Sequence, residues 1–321
     1  MLIFPRTPGQ AKQVRLCGGN CSNRLQASSL SSSARVLSGH AARINAVLGD
    51  VKLARLTPGQ IDTALARMAA DGLSASTLRA TRSVLARAIR RAQRDGLVVR
   101  NAAELADTPR GAVRKSRSMT LVQVEQLLTF APTSWWTAYV TVDVQCGLRP
   151  GELLGLRWAD VDFAAGVLRV RHSLHETTSG LQLGTLKTET SRRTLRMPAG
   201  VRDALSTLGI EQAADRERLG GHYTDSGLVF ADSAGRPCRP NHITRVFRQL
   251  CADAGLGEGW QPRELRHTFV SLLSHAGVPV ESIADAAGHT NANITRSVYR
   301  HQLADQVTVA ATAMDAMFPG R

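Results

Sequence analysis

Tyr299 stands late in a chain of 321 residues, ten positions after His289 in the segment that opens Gly288-His289 and closes Val298-Tyr299-Arg300-His301. Arginines precede it at well-separated points, Arg149 and the Arg263/Arg266 pair. A phenol in such company suits a hydroxyl nucleophile aimed at a phosphate. The phenol supplies the attacking oxygen, and the guanidiniums hold the anion in forked hydrogen bonds.

Four blocks carry this chemistry. The first runs Gly147-Leu148-Arg149-Pro150-Gly151-Glu152-Leu153-Leu154 and on through Trp158, Asp160 and Asp162. Pro150 suits the first position of a helix, which sets Arg149 at its N-terminus, where a guanidinium adds to the positive end of the dipole. Glu152, three residues on, is placed to orient that arginine. Alone, the block also reads as a surface arginine before an ordinary helix. The second block, Thr185-Leu186-Lys187-Thr188-Glu189-Thr190-Ser191-Arg192-Arg193, reads as a turn between strands. A lone lysine on a hairpin is ordinarily just solvated, so Lys187 gains weight only from its company. In the third, Gln261-Pro262-Arg263-Glu264-Leu265-Arg266-His267-Thr268-Phe269, the two arginines fall three apart at a helix start and point the same way. Two such cations are costly unless an anion lies between them or carboxylates flank them. In the fourth, Gly288 reads as a helix C-cap and His289 leaves it on a loop.

Together the blocks resemble the tyrosine recombinase, or phage integrase, family, from about Ala34 to the C-terminal end. G-L-R-x-G-E-L-L, L-K-T-x-x-S-x-R, L-R-H-T-F and the final G-H with its tyrosine occur in the family's order; each is weak alone and the set is specific. The resemblance implies that Tyr299 attacks a scissile phosphate, leaving a 3′-phosphotyrosine and a free 5′-hydroxyl. Arg149 and Arg266 would clamp the non-bridging oxygens, Lys187 would protonate the leaving oxygen and His289 would hydrogen-bond the phosphate. Glu152 matches an acidic position supporting the first arginine. Arg263 stands where the family usually has histidine, sometimes lysine. An arginine holds phosphate but is no base near neutral pH, so the acceptor of the Tyr299 proton stays open. Tyr299 also follows His289 by ten positions, one more than is commonest.

The implied function is that of a site-specific integrase of a phage or other mobile element, cutting and rejoining duplex DNA at attachment sites. A homotetramer on DNA is implied, with an excisionase or DNA-bending accessory factor. No cofactor and no metal is expected, since the phosphotyrosine conserves the bond energy. The implied location is cytoplasmic and nucleoid-associated. A type IB topoisomerase-like nicking enzyme shares this chemistry, and a degenerate, non-catalytic DNA-binding remnant is the alternative from another class.

These residues need elements to hold them. The predicted fold class is mainly α with a small antiparallel β-sheet, the sheet lying in an α+β catalytic domain. The resemblance adds a two-domain, C-shaped clamp on DNA. Residues 1–33 show no steady period and read as disordered or as a misassigned start; no arm-type domain is visible there. Residues 34–107 form a helical region that resembles the family's core-binding (SAM-like) domain. Within it Thr57-Pro58-Gly59-Gln60 opens a helix with a capping box. A second helix runs from Ser74 or Ser76 to Arg94, with Leu78, Leu85, Ala88, Ile89 and Ala92 as its apolar stripe. Arg79, Arg82, Arg87, Arg90, Arg91 and Arg94 lie on this helix, which has no acid of its own. Charge runs are usually solvated faces, but such faces normally mix signs, so this one leans toward phosphates. Residues 108–118 form a basic linker in which Arg114 and Lys115 either lie against DNA or are simply solvated. Residues 119–321 form the catalytic domain. It begins with a Thr120/Gln123 capping box and a buried helix from Trp135 to Cys146, and it turns to strands after Gly166. Helices resume at Val201, at Asn241 as an N-cap, at Glu264 and at Ser282.

Composition agrees. Lys and Arg number 40 against 26 Asp and Glu, a formal charge of +14 that favours a polyanionic partner. Aromatics at 4% are too few for base-stacking platforms, which favours duplex over single strands. Hydrophobic residues at 43% support a real core. No stretch of about 18 apolar residues exists to span a membrane. Five scattered cysteines argue against a disulfide framework, and Cys17 and Cys21 lack a second ligand pair for zinc.

Overall fold

Caps and apolar periods set out the helices of the computed structural model, which describes residues 32–109, 117–177, 180–186 and 191–288. The chain divides into two compact units. One is Met1–Lys115 with Thr177–Ser179, and the other is Ser116–Glu176 with Gly180–Arg321.

In the first unit, α1 (Ser32–Leu48), α2 (Pro58–Ala70) and α3 (Ala75–Arg94) pack around one core. Thr57 caps α2 and exchanges hydrogen bonds with Gln60, while Pro58 fills the first turn, where its missing N–H costs nothing. Ser74 caps α3. Along α3 the buried positions Leu78, Leu85, Ile89 and Ala92 recur at helical spacing and meet Ile44, Ile61 and Leu65. His40 sits in this core with its Nδ1 2.8 Å from the Thr81 hydroxyl.

The second unit places α4 (Leu121–Thr129), α5 (Ser134–Cys146), α7 (Ala199–Leu219), α8 (Pro240–Asp253) and α9 (Arg263–His275) around a larger core. Short α6 (Pro150–Leu154) follows α5, and α10 (Val280–Ala287) packs on α9 through Phe269, Val270, Ile283 and Ala287. α5 is buried on nearly every side, as its apolar sequence requires. Gly147 ends it in the left-handed region, at φ 61°. Thr120 and Gln123 form the capping box of α4.

The strands form two antiparallel pairings rather than one sheet. β1 (Val161–Asp162), β2 (Val167–Val170) and β5 (Arg193–Arg196) make one sheet in the order β1-β2-β5, with Leu168 opposite Leu195 and Val170 opposite Arg193. β3 (His172–Thr177) and β4 (Gly180–Thr185) make a separate two-stranded ribbon. Alternation puts Leu168 and Val170 into the core. The helices that resume late in the chain start one or two residues earlier than expected, α7 at Ala199, α9 at Arg263 and α10 at Val280. Arg239 is the N-cap of α8, Pro240 its first residue, and Asn241 lies inside the first turn. A proline preset for the helix outweighs the capping preference of the asparagine that follows.

Candidate active site

The site is built where the ends of α5, α6, β5, α9 and α10 come together in the second unit. Arg149 is the N-cap of α6 and Pro150 its first residue. Glu152, three positions on and 1% exposed, folds back to accept from the Arg149 backbone N–H at 3.0 Å and from Arg149 Nη1 at 2.6 Å. Arg149 Nη2 donates to the Gly288 carbonyl at 2.6 Å. Gly288 ends α10 in the left-handed region, which turns that carbonyl outward from the helix.

Arg266 rises from the first turns of α9 and is buried. Its Nη1 donates to the Gly147 carbonyl at 2.6 Å, while its Nη2 is buried with no hydrogen-bond partner among the described residues. Burial, then the charges of Arg149 and Arg193, pull its pKa down to about 10, so it stays a cation at neutral pH. Arg263, three positions earlier, is exposed, so one turn of helix sends the two arginines into different surroundings. Burial first, and then the Arg263 charge, hold the His267 imidazole below its ordinary value, and it is neutral near pH 7.

Two buried groups belong to this cluster although their motifs did not point to them. Arg193, the first residue of β5, reaches Glu152 Oε2 through Nη2 at 3.0 Å and the Ala286 carbonyl through Nε at 2.8 Å. Burial alone would push the Glu152 carboxyl up. The Arg193 charge and the hydrogen bonds from Arg149 and Arg193 outweigh it, and the carboxyl lies below its ordinary value. Asp143, on α5, is fully buried, and neither carboxyl oxygen has a hydrogen-bond partner among the described residues. Burial lifts it well above the carboxylate range against the pull of Arg266. Arg193 was visible as the arginine of the L-K-T-x-x-S-x-R block. Asp143 was visible as the only acid in the apolar run of α5.

Lys187, His289 and Tyr299, like Arg114 and Lys115, lie outside the described residues. On α3, Arg79, Arg87, Arg90, Arg91 and Arg94 are exposed and Arg82 is half-buried. Carboxylates reach this face from beyond the helix. Glu104 pairs with Arg90, and Asp95 with Arg91 at 3.1 Å. Arg82 donates to the Ala106 carbonyl. Among the described residues Arg79 and Arg94 form no ion pair, no helix is long and apolar enough to cross a membrane, and no three His, Cys, Asp or Glu side chains could hold a metal ion.

The arrangement is a cationic cluster, with three guanidiniums around one ionised carboxylate. The fold resembles solved DNA-bound recombinases. The Tn1549 transposon integrase in complex with transposon right end DNA matches with a TM-score of 0.73 at 20% identity, over 85% of this chain and 90% of that one. A lambda integrase tetramer bound to a Holliday junction matches at 0.62 and 20% identity, over 85% and 72%. In sequence, an integrase of Streptomyces ambofaciens is 37% identical over 278 residues, covering 84% of this chain and 71% of the relative. A XerC-like tyrosine recombinase of Caldanaerobacter subterraneus subsp. tengcongensis is 28% identical over 184 residues, covering 54% and 47%. Sequence relatives and fold together are those of a tyrosine-type site-specific recombinase. The phage integrase family matches residues 117–306, and the chain belongs to that family.

Proposed function

We propose that this recombinase integrates and excises a mobile element by cutting and rejoining duplex DNA at attachment sites, with Tyr299 as nucleophile. The phenolic oxygen of Tyr299 attacks the scissile phosphorus as its O–H bond breaks and the proton passes to water. The bond from phosphorus to the 5′-oxygen breaks as the phosphotyrosine bond forms, and Lys187 gives the departing 5′-oxygen its proton. Arg149, Arg263, Arg266 and His289 hold the phosphate. Religation reverses these steps on a new strand, so no nucleotide or metal is consumed.

The single observation that carries this reading is the buried, unpartnered Nη2 of Arg266 beside Arg149. A guanidinium nitrogen taken from water without an acceptor is costly, and a phosphate oxygen is the acceptor such a cationic cluster suits. Duplex DNA as partner is supported by the net charge of +14 and by the basic face of α3. A homotetramer on paired sites is supported by the tetramer of the lambda integrase relative. An excisionase or DNA-bending factor would set direction, with the reaction taking place on nucleoid DNA in the cytoplasm.

A nicked suicide duplex carrying the attachment site tests the chemistry. We expect a covalent protein–DNA adduct that vanishes in Tyr299→Phe and falls about 100-fold or more in Arg266→Ala, the size typical of losing one preorganised donor to a developing anion. DNA binding without any adduct would make the chain a non-catalytic remnant. Relaxation of plasmids lacking sites, without strand exchange between site-bearing DNAs, would make it a topoisomerase.

A further inference from the structure

Two arginines and one carboxylate close a ring at the site. Glu152 Oε1 accepts from Arg149 Nη1, and Glu152 Oε2 accepts from Arg193 Nη2. Arg149 Nη2 then reaches the Gly288 carbonyl and Arg193 Nε the Ala286 carbonyl, both at the C-terminal end of α10. The third nitrogen of Arg193, Nη1, donates to the Ser191 carbonyl at 3.3 Å. The Arg193 side chain is only 7% exposed, yet all three of its nitrogens are engaged. α6, β5 and α10 are thus tied together by side chains rather than by a shared sheet.

We propose that Arg193 is a positioning residue for the strand-transfer reaction, acting through Arg149. The inference rests on the proposed function. Glu152 is the only carboxylate among the described residues that pairs with Arg149, and it is nearly inaccessible to water. If Glu152 faced Arg149 alone, its whole charge would hold that guanidinium back from a phosphate. Arg193 shares the second carboxylate oxygen with the Arg149 backbone N–H and offsets its charge, which leaves the Arg149 guanidinium with positive charge to give. Arg193 also holds the Ala286 carbonyl near the end of α10, from which the chain runs on to His289 and Tyr299. A lysine at 193 would keep the charge but has one nitrogen, and cannot bridge the carboxylate, the helix end and Ser191 together.

The test measures two quantities separately, affinity for an intact site and the single-turnover rate of adduct formation on the nicked duplex. Arg193→Ala and Arg193→Lys are expected to bind within about 3-fold of the wild type. Adduct formation is expected to slow about 10- to 100-fold, the range seen when a group that orients a reactive ligand is removed. In an Arg149→Lys background, Arg193→Ala should cost little more, because the effect passes through residue 149. An unchanged rate overturns the proposal, and so does an equal loss in both backgrounds or a loss of affinity parallel to the loss of rate. If Arg193→Ala does not fold, Arg193→Lys decides by the same criteria. Absence of adduct in the wild type overturns the proposed function and this inference with it. A wild-type adduct with an unimpaired Arg193→Lys overturns the inference alone.

Discussion

Asp143 and Lys187 test the site residue by residue. Asp143 carries two oxygens without partners among the described residues in a fully buried position, and burial raises its carboxyl well above the ordinary value of 3.8 despite nearby Arg266. The folded state therefore keeps a proton that the unfolded chain gives up as pH climbs past about 4. The stabilisation linked to that proton is complete below the unfolded value and is lost as pH rises toward the folded one. Asp143→Asn, which resembles the protonated acid, should gain stability relative to wild type as pH is raised from 4 to 8, as read by urea unfolding. A difference constant over that range would mean that Asp143 ionises normally in the fold. Lys187 makes a chemical prediction. Lys187→Ala should slow cleavage of an ordinary strand and recover on one whose 5′-bridging oxygen is replaced by sulfur, a leaving group that needs no proton. Failure to recover would remove Lys187 from the role of acid. Arg149 and Glu152 were legible at this scale because a local i, i+3 relation with a proline between them fixes their geometry. Arg193 was not. In a strand of alternating Arg, Thr, Leu and Arg it looks like a solvated face, and only the tertiary approach of α6 and α10 buries it.

Elements place these residues, and the end of α5 is the most demanding joint. Gly147 has φ 61°, and a Cβ there would lie 2.3 Å from the Phe269 ring on α9. Its carbonyl is the acceptor of Arg266 Nη1. Gly147→Ala thus combines left-handed strain, roughly 1–2 kcal/mol for an L-residue, with a ring displacement of similar cost. It should lower stability by roughly 2–4 kcal/mol and slow adduct formation in the fraction that stays folded. Gly277→Ala is the control, with φ 76° but open space around the new methyl, and should show the strain alone. Equal losses at both positions would mean that Phe269 moves aside freely. Helix boundaries set by caps were legible from sequence, as at Thr57/Gln60 and Thr120/Gln123, because a capping box is local chemistry. The start of α8 was misread because Asn241 has a good cap side chain, whereas Pro240 decides the turn. The division of the strands into two pairings was hidden for another reason. β5 joins β2 across the intervening ribbon, and nothing in the alternation of either strand records its partner.

At the scale of the whole molecule each unit has its own core, and charge decides what the first unit meets. At 100° per residue, Arg79, Arg87, Arg90 and Arg94 fall within a sector of about 80°, opposite the stripe of Leu78, Leu85, Ile89 and Ala92. The helix itself has no acid, which suggested a bare cationic face, but Glu104 comes from beyond it to pair with Arg90. This gives two substitutions of opposite sign. Arg79→Ala with Arg94→Ala removes two unpaired cations. It should weaken binding to the DNA site and flatten the dependence of log K on log salt by up to about 1.8, at ~0.9 per phosphate contact. Glu104→Gln frees the Arg90 guanidinium and removes a charge that repels phosphate, so it should tighten binding and steepen the same slope. An exposed ion pair contributes little to stability, so neither change should move the unfolding midpoint much. Misfolding cannot raise affinity, so the opposed pair separates a DNA-facing helix from a damaged one. Slopes unchanged in both variants would make this face merely solvated.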